Sequence, residues 1–236
     1  MGCRCLTAIT LAVALVAISH GGLARGDDVD EAVAEACDMT VSQMKQIGLA
    51  VINHHDVYKK FPSPAIMSKD GKPLLSWRVK ILPFLEEGNL YQQFHLDEAW
   101  DSPHNKELIS KMPKVYFCPG SNEGPRFRTV YQVPCGQATA YDGPDGITIR
   151  SITDGTSKTI GIVETDDEHA VVWTKPDDWK FNPEKPSAGL GGHFPLTFYV
   201  GAFDTSVHAL RDSIDAATLR ALFTIRGREP VSWPDN

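Results

Sequence analysis

The chain has 236 residues, 23 of them basic and 30 acidic, for a formal net charge of −7. That balance excludes a nucleic-acid binder, which needs a basic face, and excludes anchoring on anionic lipid. The length suffices for one good core, or one core with a small satellite. No stretch is low-complexity and none repeats.

Arg4 supplies a positive start, Leu6 to Ile18 is an apolar or small-residue run, and Ala24-Arg25-Gly26 offers small residues where a signal peptidase reads. Residues 1–26 are therefore expected to be a signal peptide, cut after Gly26 or, alternatively, after Ala24. The run is short of the ~20 residues that span a bilayer. Cys3 and Cys5 precede it, so neither reads as a lipoprotein cysteine. The expected product is exported, periplasmic or secreted, with no membrane span once the leader is gone. Its loss removes two arginines and no acid, which takes the net charge from −7 to −9.

Asp27, Asp28, Asp30 and Glu31 suit a helix N-terminus. Val33, Cys37, Val41, Met44, Ile47, Val51 and Tyr58 then recur at steps of three, four or seven. That apolar stripe predicts a helix over residues 28–58, closed by Lys59-Lys60 and stopped at Phe61-Pro62-Ser63-Pro64. Asp70-Gly71-Lys72-Pro73 is a turn. Residues 75–111 read as a helical insert, broken near Pro83 and Gly88 and restarted at Asp101-Ser102-Pro103.

From Lys114 to about Arg211 the runs become short and β-branched or aromatic. They are Val115 to Phe117, Thr129 to Tyr131, Ile147 to Ile149, Thr159 to Val163, Ala170 to Trp173, and a closing hairpin around Asp204-Thr205. Asp215 to Phe223 reads as a C-terminal helix. Helices first and strands second give an α+β fold, with the long helix laid on an antiparallel sheet and short extra helices beside it. Residues 27–236 form one domain in this reading.

Export permits a disulfide, and Cys118 and Cys135 flank a Gly/Pro-rich loop, so these two are expected to pair. A loop that short contributes roughly 3 kcal/mol through the unfolded state. Cys37 is then a free thiol under the first helix. Three cysteines allow three single pairings, and spacing does not choose among them.

Several segments carry a family resemblance. They are Lys45-Gln46-Ile47-Gly48-Leu49-Ala50, Tyr58 to Pro62, Leu75-Ser76-Trp77-Arg78-Val79, Leu82 to Glu86, Trp100-Asp101-Ser102-Pro103-His104-Asn105, Phe117-Cys118-Pro119 and Ile152 to Ile160. In this order they resemble the bacterial family called domain of unknown function 1559, also labelled solute-binding-protein-like. Its members are similar to type IV pilins and pseudopilins at the N-terminus, which implies a long helix on a small sheet. The family brings no catalytic residues to carry over. Two departures stand out. The prepilin leader is replaced by a conventional export signal, and with it goes the polymerising half of the helix. The family's His-to-Asp-Gly hairpin is loosened to His193 and Asp204, with Thr205 in place of glycine.

Glu164, Asp166 and Asp167, with Glu168 and His169, form an acidic turn that could hold a hard cation such as Ca²⁺ or read simply as solvated; no other cofactor is expected. Asp142, Asp145 and Asp154 sit in Gly-rich turns open to the same two readings. His54 and His55 are adjacent on a helix and so diverge, unlike a zinc pair. His104, His193 and His208 have no ligand spacing, and no hydrolase or nucleotide motif occurs. The Lys175–Gly192 stretch is long and Pro/Gly-rich, and Trp173, Trp179, Phe181 and His193 lie in or beside it. They are the expected ligand contacts.

The functional expectation is an exported, non-enzymatic binding or structural module for a protein or glycan of the cell envelope. One alternative is a soluble adaptor of a pilus-like or secretion assembly. The other is a metal-dependent hydrolase.

Overall fold

A computed structural model describes residues 26–234. The expected leader lies outside the described residues, except Gly26, where the first helix begins. Helix α1, Gly26–Tyr58, is 33 residues long. Thr40, Gln43, Met44, Ile47, Ala50, Val51 and His54 are buried at helical spacing along its second half. The helix ends where Lys59 turns left-handed at φ 59°, its N–H donating to the His55 carbonyl at 2.7 Å. No described helix is long and apolar enough to cross a membrane.

The strands are β1 (Ala65–Met67), β2 (Pro73–Ser76), β3 (Arg128–Thr129), β4 (Tyr131–Gln132), β5 (Ile160–Glu164), β6 (Val171–Val172), β7 (Thr197–Ala202) and β8 (Val207–Arg211). The central sheet runs β4-β5-β7-β8, antiparallel throughout. β1-β2 and β3-β6 are separate antiparallel pairs. The short helices are α2 (Trp77–Lys80), α3 (Gly88–Tyr91), α4 (Pro103–Glu107) and α5 (Ala216–Phe223).

Alternation along β7 places the central sheet between two apolar layers. Tyr199 joins Met44, Ile47 and Val51 of α1 in one cluster. Phe198 and Val200 join Leu219, Leu222 and Phe223 of α5, with Trp179, in the other. The fold is thus α+β, with the long helix on an antiparallel sheet.

One buried ion pair ties the segments together. Arg78 Nη2 donates to Asp178 Oδ1 at 2.6 Å, and both side chains are nearly fully buried. Arg78 Nε donates to the Tyr131 carbonyl at 3.0 Å and Nη1 to Ser76 Oγ at 2.8 Å. Asp178 Oδ1 also accepts Trp77 Nε1–H at 3.0 Å and the Val133 N–H at 3.1 Å. A charge out of water needs such full satisfaction.

The expected helices hold at their caps. Ser102 accepts the Asn105 N–H with Pro103 in the first turn, and Asp215 accepts the Thr218 N–H. Three expectations fail locally. Leu75 opens no helix; it lies in β2, paired with Ile66. Val115 and Tyr116 sit in a 3-10 turn, Lys114–Tyr116, because the Tyr116 hydroxyl is drawn inward to the Arg78 carbonyl at 2.8 Å. Ile149 begins another 3-10 turn, not a strand. β propensity marks a residue that suits a pleated surface, and here no strand edge lies alongside to pair with.

The expected Cys118–Cys135 disulfide is also absent, and Cys37, Cys118 and Cys135 are all free. The chain between Cys118 and Cys135 is no loose loop, since it enters the fold as β3 and β4. Cys135 is fixed by backbone bonds to Trp179 and Phe181, at 2.9 Å each. Cys37 is half-buried.

Two stability predictions follow from this geometry. Asp178→Ala strands a buried guanidinium and is expected to cost about 3–5 kcal/mol. Asp177→Ala breaks only an exposed pair with Lys175 and should cost less than about 1 kcal/mol. Urea unfolding midpoints compare them, and equal losses would refute the hub. Thr205 sits at φ 73°, a region β-branched residues resist. Thr205→Gly is therefore expected to gain about 0.5–1 kcal/mol; a loss in thermal melts would show that the Thr205 contacts matter more than the strain.

Candidate functional site

Beneath α1, four segments distant in sequence meet. Glu164 ends β5 on the face it shares with Ile162, turned toward the helix, and is fully buried. Its Oε2 accepts the Tyr199 N–H at 2.9 Å, and its Oε1 lies 2.7 Å from His193 Nδ1. His193 Nε2 lies 2.9 Å from Asp167 Oδ1. Asp167 in turn accepts the Ser121 hydroxyl at 2.5 Å and the Asn122 N–H at 3.4 Å. The Ser121 loop approaches His193 closely because residue 120 is glycine. A Cβ there would stand 2.7 Å from the His193 Cβ.

Burial by itself would lower the His193 pKa. The hydrogen bonds and charges of Asp167 and Glu164 outweigh it and raise the value to about 9. His193 is thus an imidazolium held between two carboxylates. Burial works to raise the Asp167 pKa, but the His193 and Ser121 bonds prevail and lower it. Cys118 completes the group, with its Sγ, a Glu164 oxygen and a His193 nitrogen all within 4.8 Å of one another. Burial, then the Glu164 charge, push the thiol well above its ordinary range. A neutral, enclosed thiol is a poor nucleophile.

On the other side of the Asp167–His169 turn lies an open cleft of about 660 Å³. Trp100, Arg128, Gln132, Glu168, His169 and the Lys175–Lys180 stretch line it. Its cations are mostly neutralised, with Lys175 Nζ 3.0 Å from Asp177 Oδ2 and Arg128 Nη1 2.8 Å from Glu123 Oε2. Gln132 Nε2 is held by the Thr165 hydroxyl at 2.9 Å and the His169 carbonyl at 2.7 Å.

The structure redistributes the expected site residues. Trp173 is fully buried, donates Nε1–H to the Ile109 carbonyl at 2.8 Å and stacks on Tyr116. It is part of the core. Trp179 donates to the Ala188 carbonyl at 2.9 Å and packs on Phe181 and Phe223. Only its edge reaches the cleft, and Phe181 packs with the same cluster. His193 is buried and belongs to the ionic group, not to a contact surface.

Glu164, Asp166 and Asp167 do not form one oxygen cage. Glu164 and Asp167 bracket His193, while Asp166 caps the next turn and pairs with His169 at 2.6 Å. Asp154 accepts the Gly227 and Arg228 N–H groups at 2.7 and 3.0 Å, which is turn and tail chemistry. His54 is buried with Nδ1 3.0 Å from the Lys60 carbonyl, while His55 packs on Phe61 and accepts the Ile149 N–H at Nε2, so the two rings diverge. His104 stacks on His95 and His208 on Trp233, so neither meets His193.

Reading by spacing misses Cys118 as a partner of His193 and Glu164. Two signals pointed there: the Phe117-Cys118-Pro119 motif, and a carboxylate continuing the Ile160–Val163 run where a strand is buried.

Residues 40–146 match the family model described as Protein of unknown function (DUF1559). That span, under half of the chain, is similar to the family. The match agrees with the motif resemblance, and it takes in Thr40, Arg78 and Cys118 but stops before Glu164 and His193. No curated protein matches the chain, and no solved structure does.

The cluster makes stability pH-dependent. The His193 pKa rises from 6.5 to about 9 on folding, so the stabilisation is complete below about pH 6.5 and is lost as pH climbs through 9. The swing is about 3 kcal/mol. Melts between pH 6 and 9.5 in chelator should show that decline, and His193→Gln should flatten it. A wild-type curve that does not fall would refute the imidazolium.

Proposed function

We infer that this chain is an exported, non-enzymatic binding module whose ligand is a small, neutral, polar solute of the glycan class, seated in the cleft beside the Lys175–Gly192 segment. The observation that carries this is the make-up of the cleft. It combines a half-buried indole, Trp100, with an amide, a guanidinium and carboxylates whose charges largely cancel. A sugar presents one apolar face and a rim of donors and acceptors. An aromatic wall facing fixed planar polar groups suits it, and orientation comes from a few polar contacts. A strongly charged ligand would have to displace pairs already made. The volume, about 660 Å³, falls within the range of small-molecule sites.

The non-enzymatic part rests on where the reactive groups lie. Cys118, Glu164 and His193 are enclosed beneath α1 and do not line the cleft. The expected contact surface therefore moves from Trp173, Trp179 and Phe181 to Trp100 and the polar rim. Deleting the Lys175–Gly192 segment is a poor test, because Asp178 and Trp179 within it hold the fold.

Titration of the purified chain with a panel of neutral mono- to tetrasaccharides, followed by tryptophan fluorescence and calorimetry, tests the reading. Trp100→Ala is expected to weaken binding about tenfold or more, in line with 1–3 kcal/mol for a stacking contact, and since Trp100 also packs on the core, circular dichroism must show the variant folded. No heat with any saccharide, or binding indifferent to Trp100→Ala, would overturn it.

A further inference from the structure

We propose that Cys118, Glu164 and His193 form a closed site for a four-coordinate divalent transition ion of the Zn²⁺ type. The site is separate from the cleft and does not depend on the glycan reading.

Three donors of different kinds converge there, a sulfur, an imidazole nitrogen and a carboxylate oxygen, all within 4.8 Å of one another. Ligands of a tetrahedral ion with bonds of ~2.1–2.3 Å stand roughly 3.4–3.8 Å apart, inside that limit, and His193 Nδ1 and Glu164 Oε1, now 2.7 Å apart, would open to admit the ion. Thiolate and imidazole favour borderline ions over Ca²⁺ or Mg²⁺, which take oxygen. The donors are 0–4% exposed, so the ion would be enclosed, and three protein donors leave its fourth position to a water.

Two further observations point to an ion. The first is the outer support. Asp167 accepts from His193 Nε2 and is itself fixed by Ser121 and the Asn122 N–H. A carboxylate behind a histidine, leaving the other ring nitrogen to face the donors, is how metal-ligating histidines are oriented. Glu164 is likewise fixed from behind by the Tyr199 N–H. The second is Thr40. Its hydroxyl on α1 is fully buried against the Cys118 thiol and the Tyr131 phenol and makes no hydrogen bond of good geometry to either. A buried orphan hydroxyl costs about 1–3 kcal/mol. A thiol is a weak acceptor, whereas a metal-bound thiolate would satisfy that O–H. The Thr40 hydroxyl is thus placed to donate to a sulfur that holds an ion.

The charge balances. The entering M²⁺ displaces the thiol proton of Cys118 and the proton that His193 Nδ1 shares with Glu164 Oε1. Two protons leave to solvent, and His193 keeps the Nε2–H bonded to Asp167.

The test uses the purified full chain, stripped with chelator and titrated with Co²⁺ and, separately, Zn²⁺. The expected results are one ion retained per chain by elemental analysis, and with Co²⁺ a thiolate charge-transfer band together with the intense visible bands of four-coordination. Cys37→Ser should keep all of these, since Cys37 lies outside the cluster. Cys118→Ser should lose the charge-transfer band, and Asp167→Asn should weaken Zn²⁺ binding about 10–100-fold. Circular dichroism establishes that each variant is folded. The wild-type spectrum alone is decisive if Cys118→Ser fails to fold. Co²⁺ that binds without a thiolate band, or no retained ion after dialysis, would overturn the proposal.

Discussion

A desolvated guanidinium is the constraint on which the rest of this fold depends. Arg78 sits where water cannot reach it, so every donor it presents must find oxygen inside the protein. It finds oxygen in three places: Ser76, the cap of its own short helix, the Tyr131 carbonyl on β4, and Asp178 a hundred residues downstream. The Leu75-Ser76-Trp77-Arg78-Val79 motif is accounted for by this arrangement, because Ser76 accepts from Arg78 while Trp77 donates to the same Asp178 oxygen. The Lys175–Gly192 segment, which composition alone presents as a free loop, is thereby fastened at Asp178. The cleft beside it has a rigid wall.

β4 carries that constraint to the second ionic centre. Tyr131 accepts from Arg78 and stands opposite Glu164 in the β4–β5 register. Its phenol donates to Gln43 of α1 at 2.9 Å. The same short strand therefore links the arginine, the carboxylate that faces His193, and the helix covering both. A shift of β4 by one residue would turn Tyr131 to the opposite face and break all three links. Charge-pair geometry, in addition to apolar packing, specifies how helix and sheet meet.

How far the sequence revealed this depends on how local each signal is. The stripe on α1 as far as Val51, the Ser102-Pro103 and Asp215 caps and the Asp204-Thr205 hairpin are decided within a few residues and lie where the sequence places them, whereas Tyr58, expected to end the stripe, is exposed. Val115 to Phe117 and Ile147 to Ile149 have strand-like composition but no edge to pair with, and pairing is not a local property. Trp173 and Trp179 resemble a binding surface in composition, and only the tertiary fold shows them bonded to the Ile109 and Ala188 carbonyls. The cysteine pairing failed for the same reason, since the segment between Cys118 and Cys135 is committed to two strands. The His193 centre was half legible: Glu164, Asp167 and His193 stood out as chemistry-bearing residues but were grouped by sequence proximity. Glu164 and Asp167 belong with Cys118 and His193, while Asp166 belongs with His169.

Most of the family motifs have structural explanations that are complete. Asn105 closes its loop through the His95, Glu98 and Ala99 carbonyls. Asp154 receives the backbone of the C-terminal tail, and each Arg78 side-chain nitrogen has a partner. Cys118 is the exception. It is not bridged, packing needs only a small apolar side chain there, and its neighbour Thr40 is left with an unused hydroxyl. An alanine would fill that role without placing a titratable sulfur against a carboxylate. A thiol beside Glu164 and His193, under an orphan donor, is a costly way to fill space and a sound way to hold a cation. Cys118 is therefore the residue that packing explains least, and the one on which the proposed cation site turns.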